Sequence, residues 1–496
     1  MKTHLTAIHR VHSALFTTAV MVFAGAVNPA QAETRYQWNG SPTVSSNWTT
    51  SANWSATGGG LTAGPGVTNT SGNYRLNVYN GANSKLVYSA SQGTTVYANI
   101  EAGGRGLVIS SAGSAIAGDF EITGGSFSTL GSSAGDVIGN AAAGTLTVSG
   151  GSFIGAGSAA GGTILGLNSG AAWTSTLNVS GTGSATFSKL QMSAGTTIVN
   201  LDGGTLTANE IVDVDNSGVT GNSNTTFNFN GGTLTAGTGA VTAFMTGLTN
   251  AYVKSGGAKI DSNGKDITIG QNLLDGTGGG GLTKSGAGTT TLTGVNTYTG
   301  TTTVSNGTLL VNNSSGSGTG SGAVAVSSGA SLGGTGTISG NTTVSGNVNA
   351  GNGGNTKETL AFGGTLGLAG TTTFDIGGST RGTSYDGIDI TGALTNGGTL
   401  SLNFTNTFAA GSYTFDLFSF ASQSGSFSSV ALSGSYLGSL VNNGSGVWSY
   451  SSGGNSWTFT QSTGDLSFTA VPELSNVLIG GLLGVGLLRR RAHRKA

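Results

Sequence analysis

Carboxylates are the side chains of this 496-residue chain whose type and spacing could do chemistry. Glu210, Asp213 and Asp215 fall close together, with Asn216 next to them. On a strand, alternate residues share a face, so Asp213 and Asp215 project together. Such a pair could bind Ca²⁺ through hard oxygen ligands, or serve as acid and base in a polysaccharide lyase or hydrolase. A lyase also needs basic residues to grip its substrate, and no Lys or Arg occurs between Lys189 and Lys254. The expectation is therefore a solvated outer face of a strand. Asp386 and Asp389 are a weaker pair, because an i, i+3 spacing on a strand points to opposite faces.

Other catalytic chemistries are removed by composition. The four histidines, His4, His9, His12 and His493, lie near the chain ends, and cysteine is absent. Residues 33–470 thus hold no Ser-His-Asp or Cys-His nucleophile, no Cys/His zinc site and no disulfide. No cofactor and no metal are expected. That body carries 11 Lys/Arg against 18 Asp/Glu, which makes nucleic acid an unfavourable partner. Glycine strings such as 278–281 and 333–334 cradle phosphate only between a strand and a helix, and no helical pattern follows them. They read as turns.

The elements that must position these residues are short strands. Glycine numbers 92, only 7% of residues are charged, and no proline occurs between Pro65 and Pro472. Gly-Gly-Thr-Leu recurs at 203–206, 231–234, 363–366 and 397–400, with relatives at 144–146 and 307–309. Each unit is four to six residues of alternating apolar and Thr/Asn character closed by Gly, Gly-Gly or Asn-Gly. That is the pattern of a strand ending in a tight turn. Similar strands in series can stack in register as a parallel β-helix, although a sandwich of hairpins would use the same alternation.

The clearest unit spans 280–313, GGLTKSGAGTTTLTGVNTYTGTTTVSNGTLLVNN. It resembles the autotransporter-associated β-strand repeat, with Leu-Thr-Lys-x-Gly-x-Gly-Thr at 282–289, Leu-Thr-Gly-x-Asn-Thr-Tyr-x-Gly at 292–300 and Gly-Thr-Leu at 307–309. The resemblance implies the right-handed parallel β-helix of autotransporter passengers. No translocator-barrel pattern precedes the C-terminal tail, so the expectation is that export is handed to another system.

The ends read as two addresses. Lys2 and Arg10, the apolar run 13–27 and small residues at Ala30 and Ala32 form a Sec signal helix cleaved by signal peptidase before Glu33. At the other end come Pro472 and Glu473, the apolar run 477–488, and Arg489, Arg490 and Arg491. Twelve helical residues reach about 18 Å, short of a hydrocarbon core about 30 Å thick. The tail resembles the PEP-CTERM sorting signal of Gram-negative bacteria, which implies recognition by an exosortase-type membrane protease and transient inner-membrane association. Leu474 replaces the motif's second proline.

The expected organisation is a signal peptide at 1–32, a Trp-containing N-terminal cap at 33–100, β-solenoid repeats at 101–384, a C-terminal β segment at 385–470 and the sorting signal at 471–496. Trp38, Trp48, Trp54, Trp448 and Trp457 cluster on either side of the repeats, suited to closing the ends of a solenoid or to stacking on sugar rings. The all-β fold class, the absence of catalytic machinery and the two addresses together predict a non-enzymatic protein of the cell surface or extracellular matrix. Adhesion or association with exopolysaccharide is the expected role. The competing expectation is a β-helix polysaccharide lyase or hydrolase using Asp213 and Asp215.

Overall fold

The computed structural model describes strand segments from Val20–Gly25 through Asp136–Asn140, then residues 143–157, 162–167, 173–213, 223–353 and 356–471. Among these residues every regular element is a strand. Two compact units are present: Met1–Thr290 with Asn296–Gly300, and Thr291–Val295 with Thr301–Ala496.

In the first unit the chain winds through three parallel ladders. The first contains Gly144–Val148, the leading part of Thr174–Phe187, the leading part of Gly195–Ala208, Ser223–Phe229, Asn250–Val253 and Leu273–Asp275. The second contains Ser152–Gly157, the trailing parts of the same two long strands, Thr233–Ala236, Ala258–Asp261 and Leu282–Ser285. Asp136–Asn140, Thr163–Leu167, Leu190–Met192, Ile211–Asp213 and Ala243–Thr246 make the third. This is a parallel β-solenoid of the right-handed type; the hairpin-sandwich alternative is not what the chain adopts.

Register explains the core. Leu146, Leu177, Val199, Phe227, Ala251 and Leu273 lie opposite one another in successive coils, and each is fully buried. A second inward file runs Phe153, Ala185, Leu206, Leu234 and Ile260. Burying each larger apolar side chain contributes roughly 1.5–3 kcal/mol. On the outer side of the first ladder, Asn228 donates to Asn200 and Asn200 to Asn178, both at 2.8 Å, and Asn178 donates to Thr147 at 3.2 Å. These amides satisfy one another between coils of 22 to 31 residues.

The second unit repeats the plan with Thr302–Val304 to Ser422–Gly425, Thr308–Val311 to Ser429–Gly434, and Thr337–Ile338 to Phe418–Ser419 as its three parallel ladders. Pairing then turns antiparallel through Gly438–Asn442, Val447–Ser452, Asn455–Thr460, Asp465–Ala470 and Gly411–Asp416. Parallel ladders therefore continue through much of the segment whose composition changes at 385.

Val20–Gly25, inside the stretch expected as a signal helix, is a strand paired antiparallel with Thr34–Trp38 and Ser84–Ser89. Val and Phe, which recur in this stretch, are residue types enriched in strands. Ala30, Ala32 and the whole tail from Pro472, including Glu473, Arg489, Arg490 and Arg491, lie outside the described residues.

Coil corners impose the glycine content. Gly204, in the first Gly-Gly-Thr-Leu string, has φ +63°, and a Cβ there would overlap the Gly183 carbonyl oxygen of the preceding coil. Gly264 also has positive φ, +77°, but open space around it. Gly204→Ala should cost several kcal/mol, from left-handed strain plus the clash, whereas Gly264→Ala should cost about 1 kcal/mol. Denaturant midpoints of the two variants measured side by side check the difference.

Candidate functional site

The acidic segment 210–216 is taken apart by the fold. Asp213 follows Ile138, Leu165 and Met192 in the third ladder's register. It therefore occupies a position that buried apolar residues hold in earlier coils. Its side chain is half-buried, and the hydroxyl of fully buried Thr225 donates to its Oδ2 at 3.1 Å. The expectation of a solvated outer face is thus corrected for Asp213: the register at the corner between third and first ladders turns it inward. Glu210 is engaged elsewhere, 3.0 Å from Lys189 Nζ in the preceding coil. The Leu190–Ile211 pairing brings those two together. Lys189 thus lies one coil from the acidic segment and neutralises one of its members. Asp215 and Asn216 lie outside the described residues. Among the described residues no group of three or more His, Cys, Asp or Glu side chains gathers to hold a metal.

The most unusual ionisable group is Lys284. In the second ladder it stands opposite Ile260, continuing the inward file of Phe153, Ala185, Leu206 and Leu234, and it is fully buried. Its ammonium donates to Ser262 Oγ at 2.9 Å and to the carbonyl oxygens of Ser285 at 2.9 Å and Gly286 at 2.7 Å. Three acceptors match three N–H donors. Burial lowers its pKa to about 8, against the raising influence of Asp261 and Asp266. The side chain ties the Ser285-Gly286 corner, where Gly286 has φ +72°, to the coil before it. The sequence carried the signal: Leu282 and Lys284 are two apart on a strand, so they share the inward face.

A second buried polar latch lies in the other unit. Asp386 is fully buried and accepts the backbone N–H of Asp375 at 2.7 Å and of Glu358 at 3.0 Å. Asp375, also buried, accepts from Asn403 Nδ2 at 2.6 Å. Burial pushes the Asp386 pKa up to about 7; the two backbone donors oppose this, the Asp375 charge adds to it and Lys357 opposes it. Asp389 faces the other way and pairs with Arg381 at 2.8 Å, while Arg381 Nε donates to the Asp416 carbonyl at 2.7 Å. These contacts clip together Thr371–Ile376, Gly387–Ile390 and the end of Gly411–Asp416.

Aromatic residues close the antiparallel strands. Trp457 lies flat on Phe468, with centroids 4.9 Å apart and planes at 9°. Trp448 Nε1 donates to Gln461 Oε1 at 2.8 Å. Both indoles are buried, so neither offers a face to a sugar. Trp38 stands opposite Trp54 in a strand pair, and Trp48 lies outside the described residues.

Residues 282–311 match the family model of the passenger-associated-transport-repeat. The match contains Lys284 and its corner, so the polar latch of the first unit is built from the repeat itself. No curated protein matches the chain. A passenger-type repeat folded into a parallel β-solenoid points to an exported surface β-helix protein.

The Asp386 shift has a definite sign. Between about pH 4 and about pH 7 the folded chain keeps a proton that the unfolded chain, with the carboxyl near 3.8, has released. Stability contributed by this group is present below pH 4 and falls away as pH rises to about 7. Melting temperatures across this window should decline more steeply for the native chain than for Asp386→Asn. Parallel slopes would show that Asp386 is ionised throughout.

Proposed function

We propose that this chain is a non-enzymatic surface or extracellular-matrix protein that serves adhesion or exopolysaccharide-associated structure. It is exported through Sec, held at the inner membrane by its C-terminal apolar segment, and released by an exosortase-type protease acting at the Pro472-Glu473 signal. The passenger-type repeat at 282–311 is the observation that carries the reading. Its strands are ordinary coils of a parallel ladder, and its one buried cation is spent on backbone carbonyls. Side chains that a polysaccharide lyase or hydrolase would use are likewise engaged in the fold: Glu210 by Lys189 and Asp213 by Thr225. Those contacts favour scaffold over the enzyme reading built on Asp213 and Asp215.

Fractionation of a Gram-negative host carrying an exosortase tests the proposal. The full chain should be found outside the inner membrane, open to added protease on intact cells. Deletion of residues 471–496 should release the body into the soluble exported fraction without passage through a membrane-bound form. A body retained in the cytoplasm, or an unchanged distribution after the deletion, would overturn the sorting account. Polysaccharide cleavage lost in the Asp213→Ala, Asp215→Ala double variant would replace the scaffold with the enzyme.

A further inference from the structure

Asparagine followed by glycine can modify itself, because glycine has no side chain to keep its backbone nitrogen away from the asparagine Cγ. Six such pairs lie among the described residues, beginning at Asn230, Asn263, Asn306, Asn352, Asn396 and Asn443. The reaction requires that nitrogen to stand close to Cγ, so the fold decides which pair reacts.

Five of the pairs are engaged in other ways. Asn230 donates to Asp202 Oδ1 and accepts the Gly256 N–H, both at 2.9 Å, while the Gly231 N–H is spent on the Gly257 carbonyl. Asn263 donates to the Ala236 carbonyl at 3.0 Å, and the Gly264 N–H goes to the Ala287 carbonyl. Asn352 is fixed between Asn312 and Glu358. Asn396 is buried and donates to Gln423 Oε1 at 2.9 Å. At the last pair the Gly444 N–H donates to Asn442 Oδ1 at 2.9 Å, and Asn443 accepts the Ser445 N–H.

Asn306 differs. It is exposed, in the turn between Thr302–Val304 and Thr308–Val311. At this pair alone of the six the glycine N–H donates to the asparagine's own side chain, from Gly307 to Asn306 Oδ1 at 2.7 Å. A carbonyl bond is about 1.2 Å long, so the nitrogen stands within about 4 Å of Cγ. Gly307 has φ +66°, and its carbonyl accepts the Ser331 N–H of the next coil at 2.9 Å, which fixes the peptide in this position. We propose that Asn306, inside the passenger-type repeat, is a site of deamidation through a cyclic imide. Hydroxide removes the Gly307 amide proton, the nitrogen electron pair forms a bond to Cγ, the Cγ–Nδ2 bond breaks, and ammonia leaves with a proton returned by water. One water then opens either C–N bond of the imide ring to give aspartate or isoaspartate. Water is the only reactant consumed. Both products place a carboxylate where the repeat has an amide. Isoaspartate also lengthens the backbone by one carbon just before the strand that buries Leu309 and Val311.

Incubation of the whole folded protein at mildly alkaline pH, followed by digestion and peptide mass spectrometry, tests this. Residue 306 should exchange amide for acid at least about ten times faster than the other five asparagines, because small misplacements of reacting atoms slow a reaction steeply. Its product should be a mixture of isoaspartate and aspartate. In denaturant, where the hydrogen bonds that distinguish the six pairs are lost, all six should convert at comparable rates. Conversion of Asn306 in the folded chain no faster than that of Asn230 and Asn263 would overturn the proposal. So would an advantage of Asn306 that persists in denaturant, since local sequence rather than the fold would then set the rate. Aspartate formed without isoaspartate would replace the cyclic imide with direct hydrolysis and overturn it as well.

Discussion

Everything in the two units depends on one constraint: a residue in one coil must sit directly over its equivalent in the next. Parallel ladders supply the backbone bonds only if register is kept, and a slip of one residue would turn every buried file outward. The composition answers this constraint. Leu, Val, Ile and Phe stack in the inward files, Thr and Asn stack outside, no proline occurs between Pro65 and Pro472, where the ladders need every N–H, and glycine makes corners where backbone passes within contact of the coil below. The scarcity of charge follows as well, since like charges stacked at about 4.8 Å would repel along a whole face.

Against that background the buried Lys284 and Asp386 are structural devices. Lys284 interrupts an apolar file, and its burial is made tolerable by three acceptors that include two carbonyls of its own corner. Asp386 does the reverse, offering a carboxyl to two backbone N–H groups that the surrounding ladders leave over. Each ties strands that lie apart in the chain. The repeat motif therefore encodes a corner with its own clamp, which explains why a lysine belongs to an otherwise uncharged pattern.

Much of this was legible in the sequence. Gly-Thr-Leu strings marked the strand starts at Thr233, Thr308 and Thr399, and the alternation placed Leu206, Leu234 and Leu400 inside, where each is fully buried. The pattern of short units missed the two fourteen-residue strands Thr174–Phe187 and Gly195–Ala208. Their Gly181 and Gly203-Gly204 read as turns, yet the chain passes through them with only a register shift at the bend. Asp213 was misplaced because face assignment needs the ladder, and only pairing with Met192 shows that its side is the inward one. The Asp375–Asp386 latch was out of reach for the same reason: its partners Glu358 and Asn403 lie 28 residues away on neighbouring coils.

Register can be read directly by disulfide trapping, because the chain has no cysteine of its own. Thr207→Cys with Thr235→Cys places two thiols on paired positions of adjacent coils, with Cα atoms about 4.8 Å apart, inside the range a disulfide spans. Thr205→Cys with Thr235→Cys sets them on a diagonal of about 8 Å, beyond it. Mild oxidation should close the first pair quantitatively and leave the second as free thiols. Equal closure of both pairs, or of the diagonal alone, would contradict the in-register solenoid.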